Sequence, residues 1–217
     1  PEDYAGENGG IVFPNPNAPT GKLLPLEDVE RIIAQNPDVI VIVDEAYIDF
    51  GGTSALPLID KYDNVLVVQT FSKSHSMAGM RIGYAFGSEK LIAYLNDVKY
   101  SFNSYTLNSL TIEMGTAAIL DEAYFKETTQ KIIATRERTK EELRALGYRM
   151  DDSKSNFLFV THDTISMEKL FEDLKKKDIY VRHFSKPERI ANYLRITIGT
   201  DEEMNTLIMF LKNYKQS

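Results

Sequence analysis

A lysine, an acid and an asparagine-bearing turn each stand just beyond a short apolar run in this sequence. Lys73 follows Val65-Leu66-Val67-Val68, inside Thr70-Phe71-Ser72-Lys73-Ser74-His75-Ser76-Met77-Ala78-Gly79-Met80-Arg81. The apolar run reads as a buried strand. An amine past such a strand can condense with an aldehyde to a Schiff base, while the hydroxyls and the arginine hold a phosphate. Taken alone, the pattern also fits a solvated lysine in a polar loop. Asp44 follows five apolar β-branched residues, Val39-Ile40-Val41-Ile42-Val43, which indicate a strand covered on both faces. Ligands of open α/β sheets collect at the carboxyl ends of strands. A carboxylate there can pair with a protonated pyridine nitrogen and keep the ring electron-withdrawing, or simply cap a helix. Tyr47 suits a hydrogen bond to a phenolic oxygen, or an ordinary half-buried position. The third segment, Pro14-Asn15-Pro16-Asn17-Ala18-Pro19-Thr20-Gly21, specifies a fixed extended turn that can hold an asparagine over a ligand.

The elements that must position these groups can be read from periodicity. Residues 25–36 predict a helix, with Pro25 in its first turn and Leu26, Val29, Ile32 and Ile33 on one face. Strands are expected near 38–43, 64–69 and 82–87, with Gly51-Gly52 and Pro57 in loops. Ser88 fits as the cap of a helix through Leu91, Ile92 and Leu95. This rhythm predicts a doubly wound α/β sheet. From Glu113 to Leu146 the pattern is helical, with a break near Asp121 and Gly147 at the C′ position. The mixed charges of its second half predict a solvated helix between two lobes. Strands around 156–160, 180–182 and 194–198, with helices at 166–177 and 201–214, predict a small α+β lobe.

Taken in order, these segments resemble the pyridoxal-phosphate aminotransferases of the aspartate-aminotransferase superfamily, and within it the histidinol-phosphate branch. The resemblance rests on residues 14–21, on Asp44-Glu45-Ala46-Tyr47, on Ser72-Lys73 with Met80-Arg81-Ile82-Gly83-Tyr84, and on Tyr193-Leu194-Arg195-Ile196-Thr197-Ile198-Gly199-Thr200. It implies a large cofactor-binding domain with a mostly parallel sheet, its N-terminal part missing, over residues 1–120. It further implies a linking helix at 121–147 and a small α+β C-terminal domain at 148–217. The implied cofactor is pyridoxal 5'-phosphate. Lys73 would form the Schiff base and shuttle a proton, and Asp44 would pair with the ring nitrogen. Tyr47 and Asn17 would bond the phenolic oxygen, while Thr70, Ser72 and Arg81 hold the phosphate. Arg195, assisted by Arg182, would receive the anionic end of the substrate. Ala18 stands where many relatives carry a second asparagine, and Asn17 is chosen as the residue nearest Pro19-Thr20-Gly21.

The implied reaction converts histidinol phosphate and 2-oxoglutarate to imidazole-acetol phosphate and glutamate in histidine biosynthesis, on a homodimer. The partners are thus an amino donor and a keto acid. Phosphothreonine decarboxylation and aromatic amino-acid transamination remain open on the same frame, as does a noncatalytic module. Family members are longer upstream. The chain, which starts at Pro1, is therefore expected to be a truncated piece that turns over slowly or not at all alone.

Composition narrows the classes. With 43% hydrophobic and 26% charged residues, the 217-residue chain can bury a core and is not of disordered type. A net charge of −7 disfavours nucleic acid and anionic membranes as nonspecific partners. The absence of cysteine excludes disulfides and thiolate metal sites and fits a reducing cytoplasm. No apolar run approaches the ~20 residues of a membrane span, and no signal-peptide pattern is visible. His75, His162 and His183 lack the spacing of metal ligands.

Overall fold

A computed structural model of the chain describes residues 1–214. The last three residues of the expected 148–217 domain lie outside it. Strand β1 (Ile11–Pro14) leads through the proline-rich turn to α1 (Leu26–Gln35), then to β2 (Val41–Asp44), β3 (Val65–Thr70) and β4 (Gly83–Gly87). Pro25 turns out to be the N-cap of α1 rather than a residue of its first turn. Val29, Ile32 and Ile33 recur at helical spacing, and their side chains meet Ile11, Phe13, Val41, Val43, Val65 and Val67 in one buried cluster. Each such aliphatic side chain contributes about 1.5–3 kcal/mol by leaving water. Together they fix α1 against one face of the sheet.

The strands lie in the order β1-β2-β3-β4. β1, β2 and β3 are parallel, and β4 runs antiparallel to β3 with Thr70 opposite Gly83. Two expectations need correction. Strand order follows chain order, so the described residues contain no reversal of winding. The β-branched run is also fully buried on one face only: Val41 and Val43 are inaccessible, whereas Ile42 is half-buried, Ile40 just ahead of the strand is 44% exposed and the neighbouring strand's Val12 is 68% exposed. Val and Ile favour any pleated strand, whether one face or both are covered, so the run alone overstated its burial. The strand begins at Val41 rather than residue 38, because Val39 N–H turns back to the Asn36 carbonyl.

Helices α2 (Glu89–Phe102) and α3 (Ser109–Leu120) follow, and α4 (Glu122–Ala145) then crosses toward a second sheet. Asp121 ends α3 and caps α4, accepting Tyr124 N–H at 3.1 Å. At the far end Tyr148 N–H reaches back to the Leu143 carbonyl and Gly147 N–H to that of Arg144, with Gly147 at φ +88°. That is the six-to-one closure glycine permits at C′. Contrary to the solvated helix expected from its charges, α4 buries Thr129, Thr135, Arg136, Thr139, Lys140 and Leu143.

The second sheet comprises β5 (Arg149–Met150), β6 (Phe157–Thr161), β7 (Arg182–His183) and β8 (Leu194–Thr197), with α5 (Met167–Lys175) and α6 (Asp201–Lys212). Its order is β5-β6-β8-β7, antiparallel throughout. Leu143 of α4 packs with Leu158, Leu170, Ile196 and Leu207 in its core. The proline-rich turn also touches the segment that leads into β6. Gly21, at φ +75°, lies so close to the 153–155 segment that a Cβ there would stand 2.3 Å from Ser153 Oγ, and Lys154 N–H bonds the Gly21 carbonyl at 2.8 Å.

Candidate active site

Adjacent strands β2 and β3 end at Asp44 and Thr70, with Asp44 opposite Val68 and Thr70 two residues further on. Asp44 Oδ1 accepts Ala46 N–H at 3.0 Å, and so shapes the turn to Tyr47. Its other oxygen has no hydrogen-bond partner among the described residues. Beyond β3 the chain folds into a compact loop. Ser76 N–H closes on the Lys73 carbonyl at 3.0 Å and Met77 N–H on that of Phe71 at 3.0 Å. Phe71 N–H meets the Ile82 carbonyl at 3.1 Å, which carries the β3–β4 pairing one residue past Thr70.

Within that loop, Thr70 Oγ1 accepts Ser72 N–H at 3.1 Å and lies 2.9 Å from Ser72 Oγ and 3.1 Å from the Ile82 carbonyl. Its single proton serves one of these at a time. Arg81 occupies the left-handed backbone region at φ +58° and spends one guanidinium nitrogen on the Ala78 carbonyl at 2.9 Å, leaving the rest of its fork open. Thr70 and Ser72 thus bring two hydroxyls together beside the Ile82 carbonyl, and Arg81 is the residue before Ile82.

Lys73 is half-buried, and its ammonium stands 5.3 Å from the centre of the Tyr47 ring. It pairs with no carboxylate among the described residues. The Tyr47 hydroxyl is equally without a partner there. Its ring presents an edge-to-face contact to Phe157 of β6, at 5.2 Å and 84°. Phe157 in turn lies 5.0 Å under the Arg195 guanidinium. Arg195 and Arg182 face each other across β8 and β7, and both stand within 6 Å of the Phe184 ring, at 5.9 and 5.6 Å. Neither has an acidic partner among the described residues, and the buried Arg195 Nε has no partner of any kind. Two guanidiniums sharing one ring, with no acid to neutralise them, make a site for an anion. One unbroken series therefore runs Lys73, Tyr47, Phe157, Arg195, Phe184, Arg182.

Asn17 joins this series least. Its side-chain nitrogen donates to Thr20 Oγ1 at 2.6 Å, and no hydrogen bond or ring contact links it to Tyr47. Asn15, the alternative in the same turn, is buried and spent on the backbone of Leu24, at 2.8 and 3.2 Å. That leaves Asn17 as the asparagine with an oxygen to offer.

Several residues around the site were not singled out from sequence. Asp49, in the 3-10 turn Ile48–Phe50, accepts a short hydrogen bond from Ser74, the residue after Lys73. His75, considered from sequence as a metal ligand, is sandwiched between Phe71 at 4.5 Å and Phe125 of α4 at 4.6 Å, nearly parallel to both. Burial holds its imidazole below the usual range, opposed by the nearby Asp49 charge. Glu45 is fully buried under the loop, where it accepts from Ser54 Oγ, Ala55 N–H and Gln69 Nε2. Burial pushes its carboxyl up against the pull of those bonds. No periodicity or spacing marks these residues, because their roles arise from contacts between distant segments. Phe157 carried a signal only as a strand residue.

Comparison with known proteins gives the family. Residues 2–211 match the family model for aminotransferase class I and II. Over 211 residues the chain is 56% identical to histidinol-phosphate aminotransferase of Lactococcus lactis subsp. cremoris strain SK11, covering 97% of this chain and 59% of that protein. The crystal structure of histidinol-phosphate aminotransferase from Clostridium acetobutylicum superposes with a TM-score of 0.87 at 26% identity, over 94% of this chain and 63% of that one. The Sinorhizobium meliloti histidinol-phosphate aminotransferase, solved in complex with pyridoxal-5'-phosphate, gives 0.83 at 26% identity, over 94% and 56%. The chain thus spans about three-fifths of the length of such relatives. Its mostly parallel first sheet, its antiparallel second sheet and its match from residue 2 to residue 211 place it among the class I and II aminotransferases.

Proposed function

We propose that the protein is a pyridoxal-phosphate-dependent aminotransferase of histidine biosynthesis, transferring the amino group of histidinol phosphate to 2-oxoglutarate. One observation carries the reading. The Lys73 ammonium, free of any carboxylate among the described residues, lies over the Tyr47 ring beside the carboxyl end of the strand that bears Asp44. The unpartnered groups fit the cofactor. Asp44 has an oxygen left for a ring nitrogen, Tyr47 has a free hydroxyl for the phenolic oxygen, and Thr70, Ser72 and Arg81 offer donors for the phosphate. That the relatives named above are histidinol-phosphate aminotransferases supports histidinol phosphate as the amino donor.

When bound, the cofactor supplies an aldehyde carbon that condenses with amines and a pyridinium ring that withdraws electrons. Asp44 keeps a proton on the ring nitrogen, since a carboxylate beside that atom favours its charged form. Tyr47 and Asn17 orient the ring through its phenolic oxygen. Lys73 Nζ would take the proton from the substrate α-carbon as general base and, as general acid, release it at the cofactor carbon on the other side of the amino nitrogen. Arg195, held between Phe157 and Phe184, binds the anionic end of either substrate, phosphate in one and carboxylate in the other. Its planar fork suits both. Arg182 adds a second positive charge to the same site.

We further read residues 1–120, 121–147 and 148–217 as cofactor domain, linking helix and small domain, and the working enzyme as a cytoplasmic homodimer. No helix among the described residues is long and apolar enough to cross a membrane. Exposed Tyr94, Val98, Phe102, Leu110 and Leu120 on α2 and α3 supply apolar surface for a second subunit. A donor–acceptor panel on the full-length protein tests the activity. Glutamate should form from 2-oxoglutarate fastest with histidinol phosphate as donor. Faster turnover of an aromatic amino acid, or none of either, would contradict the reading.

A further inference from the structure

Arg136 of α4 is 1% exposed, the largest fully buried side chain of the described residues. One of its nitrogens, Nη1, donates to two carbonyls from distant parts of the chain, Phe50 at 2.7 Å and Ser155 at 2.9 Å. Nε and Nη2 engage the Glu137 carboxylate, each at 2.9 Å. Burial alone would push the Glu137 carboxyl up, but bonds from Lys140 and Arg136 hold it below the usual range, so the pair stays charged.

The two carbonyls are informative by position. Phe50 closes the short turn that starts immediately after Tyr47. Ser155 lies two residues before Phe157. Tyr47 and Phe157 are the two rings that meet edge to face between the lysine side and the arginine side of the site. Arg136 therefore ties together the backbones that carry both rings. Its helix is itself anchored to the second core. Thr135 and Arg138 flank it and both bond Asp201, at 3.0 and 2.9 Å, and Lys140 bonds Asp152 at 3.1 Å. The position of the second sheet is thus relayed through one guanidinium to the Tyr47 turn.

We propose that Arg136 is a positioning residue for the anion site. It sets the spacing between the Tyr47 turn and the Phe157 ring, and so the span between the Lys73 amine and the Arg195 guanidinium that a substrate must bridge. This rests on the reading of Lys73 and Arg195 given above, and adds to it a residue that touches neither substrate nor cofactor. A lysine at 136 would keep the charge but present a point donor in place of a planar fork. Its one nitrogen also ends a bond short of Nη1, so it would loosen the hold on both carbonyls.

The test uses the full-length protein loaded with pyridoxal phosphate, and glutarate as a non-reacting dicarboxylate probe. Calorimetry gives the glutarate dissociation constant, absorbance titration the cofactor dissociation constant, and thermal melting the integrity of the fold. Arg136→Lys should bind cofactor within about twofold of wild type but glutarate about tenfold more weakly. In a Phe157→Leu background the same substitution should change glutarate binding by less than about twofold, because the platform it positions is gone. Glu137→Gln, which leaves both carbonyl bonds in place, should bind glutarate like wild type.

Unchanged glutarate affinity in Arg136→Lys, with Arg195→Lys clearly weakened, would overturn the proposal while leaving the anion site intact. Loss of cofactor and glutarate affinity in parallel, tracking the melting temperature, would also overturn it, by making Arg136 a general fold residue. If Arg195→Lys itself bound glutarate like wild type, the anion-site reading would fall, and this proposal with it.

Discussion

Only one of the two Asp44 oxygens is used within the described residues. One holds Ala46 N–H and with it the turn to Tyr47. The other is open at the carboxyl end of β2. Asp44→Asn keeps an acceptor for Ala46 and loses only the charge. It should melt within a few degrees of wild type yet lower kcat by at least about a hundredfold, as expected for loss of a charge acting on the reacting ring. A kcat within about tenfold would remove Asp44 from the ring nitrogen. Arg195 is stacked on Phe157 with an unsatisfied Nε. Arg195→Lys forfeits both the stack and the fork, and should raise the KM for glutamate by about tenfold or more with a smaller change in kcat. An unchanged KM would assign the carboxylate elsewhere. Asp44 was legible because it ends an apolar strand, whereas Arg195, inside β8, was named only through the resemblance. Asp49 and Phe157 were not legible, because their value lies in a partner more than twenty residues away.

At the scale of elements, the loop after β3 depends on a contact with α4. The His75 ring bridges Phe71 and Phe125, so the helix that leads to the second core also presses on the lysine loop. Burial lowers the imidazole pKa from its ordinary 6.5, with Asp49 opposing. Between the lowered value and 6.5 the folded chain binds fewer protons than the unfolded one, so stability is retained above 6.5 and falls as the pH drops through this window. His75→Phe can preserve the sandwich without a titrating group. Melting temperatures measured from about pH 7.5 to pH 5 should then fall less steeply than in wild type. Equal slopes would place the pH dependence elsewhere. Element types and most boundaries followed from periodicity and caps, as with Asp121 and Gly147. Single-face burial of β2 and the buried side of α4 did not. β propensity does not report how many faces are covered, and mixed charge along a helix does not reveal that one arginine of the set turns inward.

For the whole molecule, the distribution of apolar surface is the dominant physical fact. Phe102 is 90% and Leu120 77% exposed, on helices that also expose Val98 and Leu110. Patches of that kind mark contact surfaces. The 217-residue chain should therefore associate as its concentration rises in sedimentation velocity, and Phe102→Ser should shift it toward monomer. A chain that stays monomeric at about 100 μM would contradict this. Composition and charge had indicated a compact domain without basic surface, but neither shows where apolar side chains stay exposed. The account as a whole depends on the amine at Lys73, and chemical trapping tests it most directly. Borohydride reduction of the full-length protein with pyridoxal phosphate, followed by peptide mass mapping, should attach a single phosphopyridoxyl group to the peptide carrying Lys73, and none in Lys73→Ala. A label fixed on a different lysine, or no label, would contradict it.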